Sequence, residues 1–197
     1  MLAHADGGGV LYVDSAADPL LAVELLVAGL DRLGVCNRVN LLLVADSVPD
    51  RLYAALLDAA RQRGITLSLP PHEHPLGHEW ALDTGREATL TVSRVTGPAH
   101  AAQVANQETS GLAATIVTHD EAAATEFLDS YAGTGAFWNA STRLLDGFKL
   151  RRVPETGIDV DRADAQRIRA LPIRIRCPYC DCSHDGTVAD AELPDAA

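Results

Sequence analysis

The sequence predicts an α/β fold: an open, mostly parallel sheet covered by helices. Two observations carry that expectation. Strand-length apolar runs alternate with helical stretches of ten to fifteen residues, the pattern of β-α-β units. The run from Leu41 to Ala45 is apolar without a break, as a parallel strand buried on both faces must be. Composition agrees, with 47% hydrophobic and 22% charged residues in a chain of 197. That is the ordinary balance of a globular protein with room for a substantial core.

The elements follow in order. Val10-Leu11-Tyr12-Val13-Asp14 reads as a strand. Asp18-Pro19 then supplies an N-cap and an N1 proline for a helix over 19–32, with Gly34 as its C′ glycine. This helix is apolar on most faces, which predicts burial. Leu41–Ala45 is the central strand, and Ser47-Val48-Pro49-Asp50 opens a helix running to Arg63. Residues 65–69 form a short strand. Residues 70–87 form a Pro- and His-rich loop whose His72, His74 and His78 are of metal-ligand type, although a solvated loop is the simpler reading. Strand 88–95, helix 98–107 and strand 114–118 come next. Thr118-His119-Asp120-Glu121 is a capping-box pattern before a helix to Ser130. Residues 136–140 are the last clear strand. Beyond Asp146 the periodicity decays, and the acidic end from Val188 reads as frayed.

Several function classes are disfavoured. A net charge of −11 opposes binding to nucleic acid or to an anionic membrane surface. No signal peptide or apolar span is visible. The four cysteines are one lone residue and a cluster of three, unlike a secreted disulfide framework, so the expected compartment is the cytoplasm.

Four segments carry a resemblance: "LAHADGGGVLYVD" (2–14), "GVCNRVNLLLV" (34–44), "ATIVTHDEAAATEFLDS" (114–130) and "WNASTRLLDGF" (138–148), with a looser "ETGID" at 155–159. Together they resemble the C-terminal half of γ-glutamyl phosphate reductases, also called glutamate-5-semialdehyde dehydrogenases, of the aldehyde dehydrogenase superfamily. The resemblance implies a catalytic-domain fold over residues 1–146 and a diverged family segment over 147–172. A Cys-rich and then acidic tail follows over 173–197. It also implies proline-biosynthesis-type chemistry. The Cys36 thiolate would attack an acyl phosphate to form a thioester, which NADPH would reduce. Cysteine suits this role because its thiolate is both a strong nucleophile and a good leaving group.

By the same resemblance, Asn37, Asn139 and Ser141 line the substrate pocket and Arg143 pairs with a substrate carboxylate. A surface salt bridge is the alternative for Arg143. The family's dinucleotide-binding half precedes the matched region, and Gly7-Gly8-Gly9 lies before a strand rather than after one, where it cannot cradle a pyrophosphate. The NADPH site is therefore expected off this chain, on a partner chain or within a homo-oligomer.

The pattern also departs from the family. Arg38-Val39-Asn40-Leu41 follows Cys36-Asn37 where a small residue, an apolar one and Glu-Thr are usual. Arg151 and Val153 fill the glycine positions of an "FGLGAE" segment. These departures leave a second expectation open: a non-catalytic homologue acting as a regulatory or scaffolding partner, with Cys36 a relic.

The tail's Cys177, Cys180, Cys182 and His184 supply four ligands of the types zinc takes. The crowded spacing and the absence of a second knuckle leave an unstructured tail as the alternative. Cys-Pro-Tyr-Cys also resembles the redox motif of glutaredoxins. Only 17 residues follow Cys180, too few for that fold.

Overall fold

The computed structural model describes residues 8–145 and 173–175. Its elements are β1 (Gly9–Val13), α1 (Pro19–Gly29), β2 (Val39–Ala45), α2 (Asp50–Gln62), β3 (Thr66–Ser68), β4 (Thr89–Val95), α3 (Pro98–Glu108), β5 (Ala113–Val117), α4 (Glu121–Ser130), β6 (Gly135–Trp138) and β7 (Ile173–Ile175). All strand pairs are parallel, in the order β3-β4-β2-β1-β5-β6-β7. The α/β class and the parallel sheet are as the alternation predicts.

Crossovers between parallel strands are right-handed. Connections running from β1 towards β3 therefore place α1 and α2 on one face. The connections from β4 to β5 and from β5 to β6 place α3 and α4 on the other. The pairings α1 with α2 and α3 with α4 agree. Between these layers β1, β2 and β5 are buried at every residue, which is why their sequences are mostly apolar instead of alternating, with the buried Asn40 and Thr115 held by side-chain hydrogen bonds.

Four local expectations are corrected. Helix α1 stops at Gly29 rather than residue 32. A Cβ on Gly29 would overlap the Val39 side chain, so the helix end crosses β2 where only glycine fits. Gly34, with φ +71°, belongs to the following turn and does not cap the helix. Nor is α1 buried on most faces: Ala22, Leu26 and Gly29 face the core, whereas Leu20 is 77% exposed. At α4 the cap is Asp120, which accepts from the Ala122 and Ala123 amides. Thr118 is drawn away, because its hydroxyl donates to Asp14 and accepts from the Asp120 amide.

Loop 70–87 joins two parallel neighbours, so it must carry the chain back from the end of β3 to the start of β4. It is better packed than a solvated loop. Trp80 is 1% exposed and its indole donates to Thr91 Oγ1 at 2.9 Å. His78 pairs with Asp83 at 2.9 Å, and Arg86 lies over the Trp80 ring. Gly77 lets the loop pass the end of α3, because a Cβ there would overlap the Glu108 carbonyl. Gly77→Ala is expected to cost about 3 kcal/mol, the upper range for overpacking, measured by urea unfolding. Among the described residues no three His, Cys, Asp or Glu side chains converge as a metal site, and the three loop histidines are engaged in hydrogen bonds or ring contacts.

Candidate functional site

Cys36 sits on the turn that leads into β2. The Arg38 amide donates to the Val35 carbonyl at 3.1 Å, closing a four-residue turn with Cys36 and Asn37 at its corners. Two glycines anchor the turn to β1. The Gly8 amide donates to the Cys36 carbonyl at 2.7 Å, and the Gly9 amide donates to the Arg38 carbonyl. A Cβ on Gly9 would lie 3.0 Å from both the Arg38 carbonyl and Thr142 Oγ1. The glycine run thus lets two backbones approach, and it leaves the Cys36 side chain exposed at the edge where the strands begin.

Asn37 is 5% exposed. Its Nδ2 donates to the Leu145 carbonyl at 2.7 Å, and its own carbonyl accepts from Thr142 Oγ1 at 2.8 Å. Segment 141–145 is thereby fastened to the cysteine turn. Ser141 caps its short 3-10 turn, accepting from the Arg143 amide. Arg143 Nε lies 2.9 Å from Asp31 Oδ1, with the arginine side chain 14% exposed. The structure thus gathers Cys36, Asn37, Ser141 and Arg143 along one edge. The Arg143–Asp31 pair is formed through Nε, so a substrate carboxylate would meet a guanidinium already partly engaged.

Asn139 is not brought to Cys36. It adopts φ +50° and clasps Thr118: its Oδ1 accepts from the Thr118 amide and its Nδ2 donates to the Thr118 carbonyl, both at 2.9 Å. Thr118 follows β5, at the edge where strands end. Four residues of β1 separate the two edges, a span of about 13 Å. The chain reverses at the left-handed Asn139, so Ser141 and Thr142 return towards Cys36 while Asn139 stays behind. Its role here is structural.

The same far edge holds a buried network. Asp14, 5% exposed, accepts from Tyr12 Oη at 3.0 Å, from Thr118 Oγ1 at 2.8 Å and from the Ala16 amide at 3.1 Å. Burial, reinforced by the charge of Asp14, pushes the Tyr12 phenol well above its ordinary value near 10. The folded state therefore holds this proton more tightly than the unfolded state. Its contribution is fully present below about pH 10 and is lost as pH rises above that. Unfolding midpoints in denaturant are expected to fall from pH 9 to 11, and Tyr12→Phe is expected to flatten that fall.

Neither the glycine run before β1 nor the cleft at the far edge suits a dinucleotide. Gly8 and Gly9 are spent on the cysteine turn. The cleft of about 320 Å³ where the strands end is lined by Asp14, Asp120 and Glu126 with no Lys or Arg, the wrong sign for a pyrophosphate. The expected zinc ligands Cys177, Cys180, Cys182 and His184 lie outside the described residues. No described helix is long and apolar enough to cross a membrane.

Arg38 is the residue that sequence reasoning undervalued, reading it only as a departure from a pattern. It is 5% exposed, and its Nη1 donates to the Thr89 carbonyl at 3.2 Å. Nε and Nη2 are buried without a hydrogen-bond partner. Burial lowers the pKa of this guanidinium, and Glu79 opposes the shift.

No protein-family model matches the chain. Full-length relatives do. The chain is 34% identical over 178 residues to the gamma-glutamyl phosphate reductase of Thermus thermophilus, covering 84% of this chain and 42% of that protein. It is 35% identical over 177 residues to the enzyme of the same name from a Synechococcus strain, covering 82% and 37%. Among solved structures, the gamma-glutamyl phosphate reductase of Thermotoga maritima aligns with a TM-score of 0.65 at 21% identity, over 74% of this chain and 37% of that one. An NADP-dependent glyceraldehyde-3-phosphate dehydrogenase from Bacillus halodurans aligns at 0.57 with 19% identity, over 69% and 38%. The parallel α/β fold and this identity over most of the chain agree. The chain is a homologue within the γ-glutamyl phosphate reductase family, with an aldehyde-dehydrogenase-like fold, and it spans about two-fifths of the length of the relatives it matches.

Proposed function

We propose that the chain carries the acyl-accepting part of a γ-glutamyl phosphate reductase, with Cys36 as nucleophile. The observation that carries this reading is the exposed thiol at the corner of a turn braced by Gly8, Gly9 and Thr142. Such bracing holds a nucleophile in place without covering it. The thiolate attacks the acyl carbon of an acyl phosphate, a C–S bond forms, the C–O bond to phosphate breaks, and inorganic phosphate leaves. Asn37 positions the turn through Leu145, and Arg143 is the candidate anchor for a substrate carboxylate.

The reductive step is assigned elsewhere. Neither the glycine run nor the far-edge cleft suits NADPH, so the dinucleotide-binding domain is supplied by a partner chain or by residues outside the described ones. A second reading is a non-catalytic regulatory or scaffolding homologue, favoured by Arg38 two positions after Cys36, where the family usually has other residue types, and by Arg151 and Val153 at the family's glycine positions. An NADPH-dependent glutamate-5-semialdehyde dehydrogenase assay on the protein co-purified with its native partners separates the two. Activity that Cys36→Ala abolishes supports the enzyme, whereas a complex without activity supports the second reading.

A further inference from the structure

Buried hydrogen-bonding groups are nearly always satisfied, and an exception calls for a cause such as a ligand. The turn that bears Cys36 holds two such exceptions. Asn37 Oδ1 and the Nε and Nη2 of Arg38 are buried and make no hydrogen bond, within one and two residues of the exposed thiol. A guanidinium with two unmet donors presents the fork that matches a planar or tetrahedral oxyanion.

The charge nearest in effect to this guanidinium is Glu79, on the loop that returns to β4. Its Oε2 stands against Gly8, where a Cβ would lie 2.8 Å from it, and the Gly8 amide binds the Cys36 carbonyl. Glu79 thus brackets the same glycine as the cysteine turn, and its negative charge acts on the Arg38 guanidinium. Asn40 holds the loop in this place: its Nδ2 donates to the His78 carbonyl at 2.6 Å and its Oδ1 accepts from the Trp80 amide at 3.4 Å.

We propose that Arg38 is a specificity-determining residue of the Cys36 site, receiving an oxyanion (phosphate or carboxylate) of the acyl donor when the Glu79 carboxylate gives way. Glu79 acts as the internal competitor for that ligand. The proposal rests on the reading of Cys36 as acyl acceptor and adds the class of group that the neighbouring subsite takes. Neutral acyl donors are disfavoured, because they would leave the guanidinium unmatched.

The test is alkylation of Cys36 by iodoacetate and by iodoacetamide, followed by peptide mass spectrometry so that the tail cysteines are counted apart. Both reagents consume the same thiolate, so the ratio of their rates cancels its abundance and reports only the preference for an anion. R38Q is expected to lower that ratio about fivefold and R38K to retain most of it, while E79Q raises it. Inorganic phosphate and acetate, tested separately as protectants against iodoacetamide, distinguish a phosphate seat from a carboxylate seat. At least one should protect the wild type and fail to protect R38Q. A ratio unchanged in R38Q and E79Q, or protection by neither anion, overturns the proposal. Should R38Q not fold, the rise in E79Q and the protection of the wild type carry the test. None of these readouts uses NADPH or turnover, so they fail independently of the dehydrogenase assay.

Discussion

Asp14→Ala is expected to destabilise the fold by about 4 kcal/mol, a loss that urea denaturation monitored by tryptophan fluorescence would show. Asp14 lies at the end of β1, buried, and accepts three hydrogen bonds. Removing it leaves the Tyr12 hydroxyl and the Thr118 hydroxyl with a lost acceptor in a buried site, each costing about 1–3 kcal/mol. The damage spreads because Thr118 also accepts from the Asp120 amide at the start of α4, and its backbone is clasped by Asn139. One carboxylate therefore ties β1, β5, α4 and the reversal after β6 together. Asp14→Asn, which keeps an acceptor oxygen, should fall between alanine and wild type. A loss below about 1 kcal/mol for alanine would show that the network is decoration.

Cys36→Ala is expected to abolish acyl uptake, by about 10³-fold or more, with almost no change in stability. The side chain is exposed, so its removal creates no cavity. The turn is held by the backbone bonds of Gly8, Gly9 and Arg38 and by Thr142, none of which uses the thiol. A melting midpoint within about 2 °C of wild type, beside lost phosphate release from acetyl phosphate, is the expected pair of results. An equal loss in Thr142→Val would have a different cause. That variant frees the Asn37 carbonyl and loosens the turn, so its melting midpoint should fall as well.

Much of the fold was legible because it rests on local rules. The continuous run at Leu41–Ala45 and Pro19 after Asp18 each report a strand core or a helix start without reference to distant residues. The failures came where a distant element decides. Gly29, the last residue of α1, lies so close to Val39 of β2 that a Cβ there would overlap it. Thr118 does not cap α4 because Asp14, 104 residues away in sequence, takes its hydroxyl.

The site was less legible for the same reason. Asn139 and Thr142 are three positions apart, yet a left-handed backbone at Asn139 leaves one at each edge of the sheet. Motif order alone groups them. Arg38 reads in sequence only as a departure from the family pattern, and its burial shows only once the fold sets it against Thr89 at the start of β4 and near Glu79 of loop 70–87.

The central claim is that Cys36 accepts an acyl group from an acyl phosphate. The most direct measurement is intact-protein and peptide mass spectrometry of the wild type after brief exposure to acetyl phosphate at neutral pH. One hydroxylamine-labile acyl adduct is expected on the peptide containing Cys36, formed together with an equivalent of phosphate and absent in Cys36→Ala. An unmodified Cys36 peptide, or an adduct confined to Cys177, Cys180 or Cys182, would contradict it.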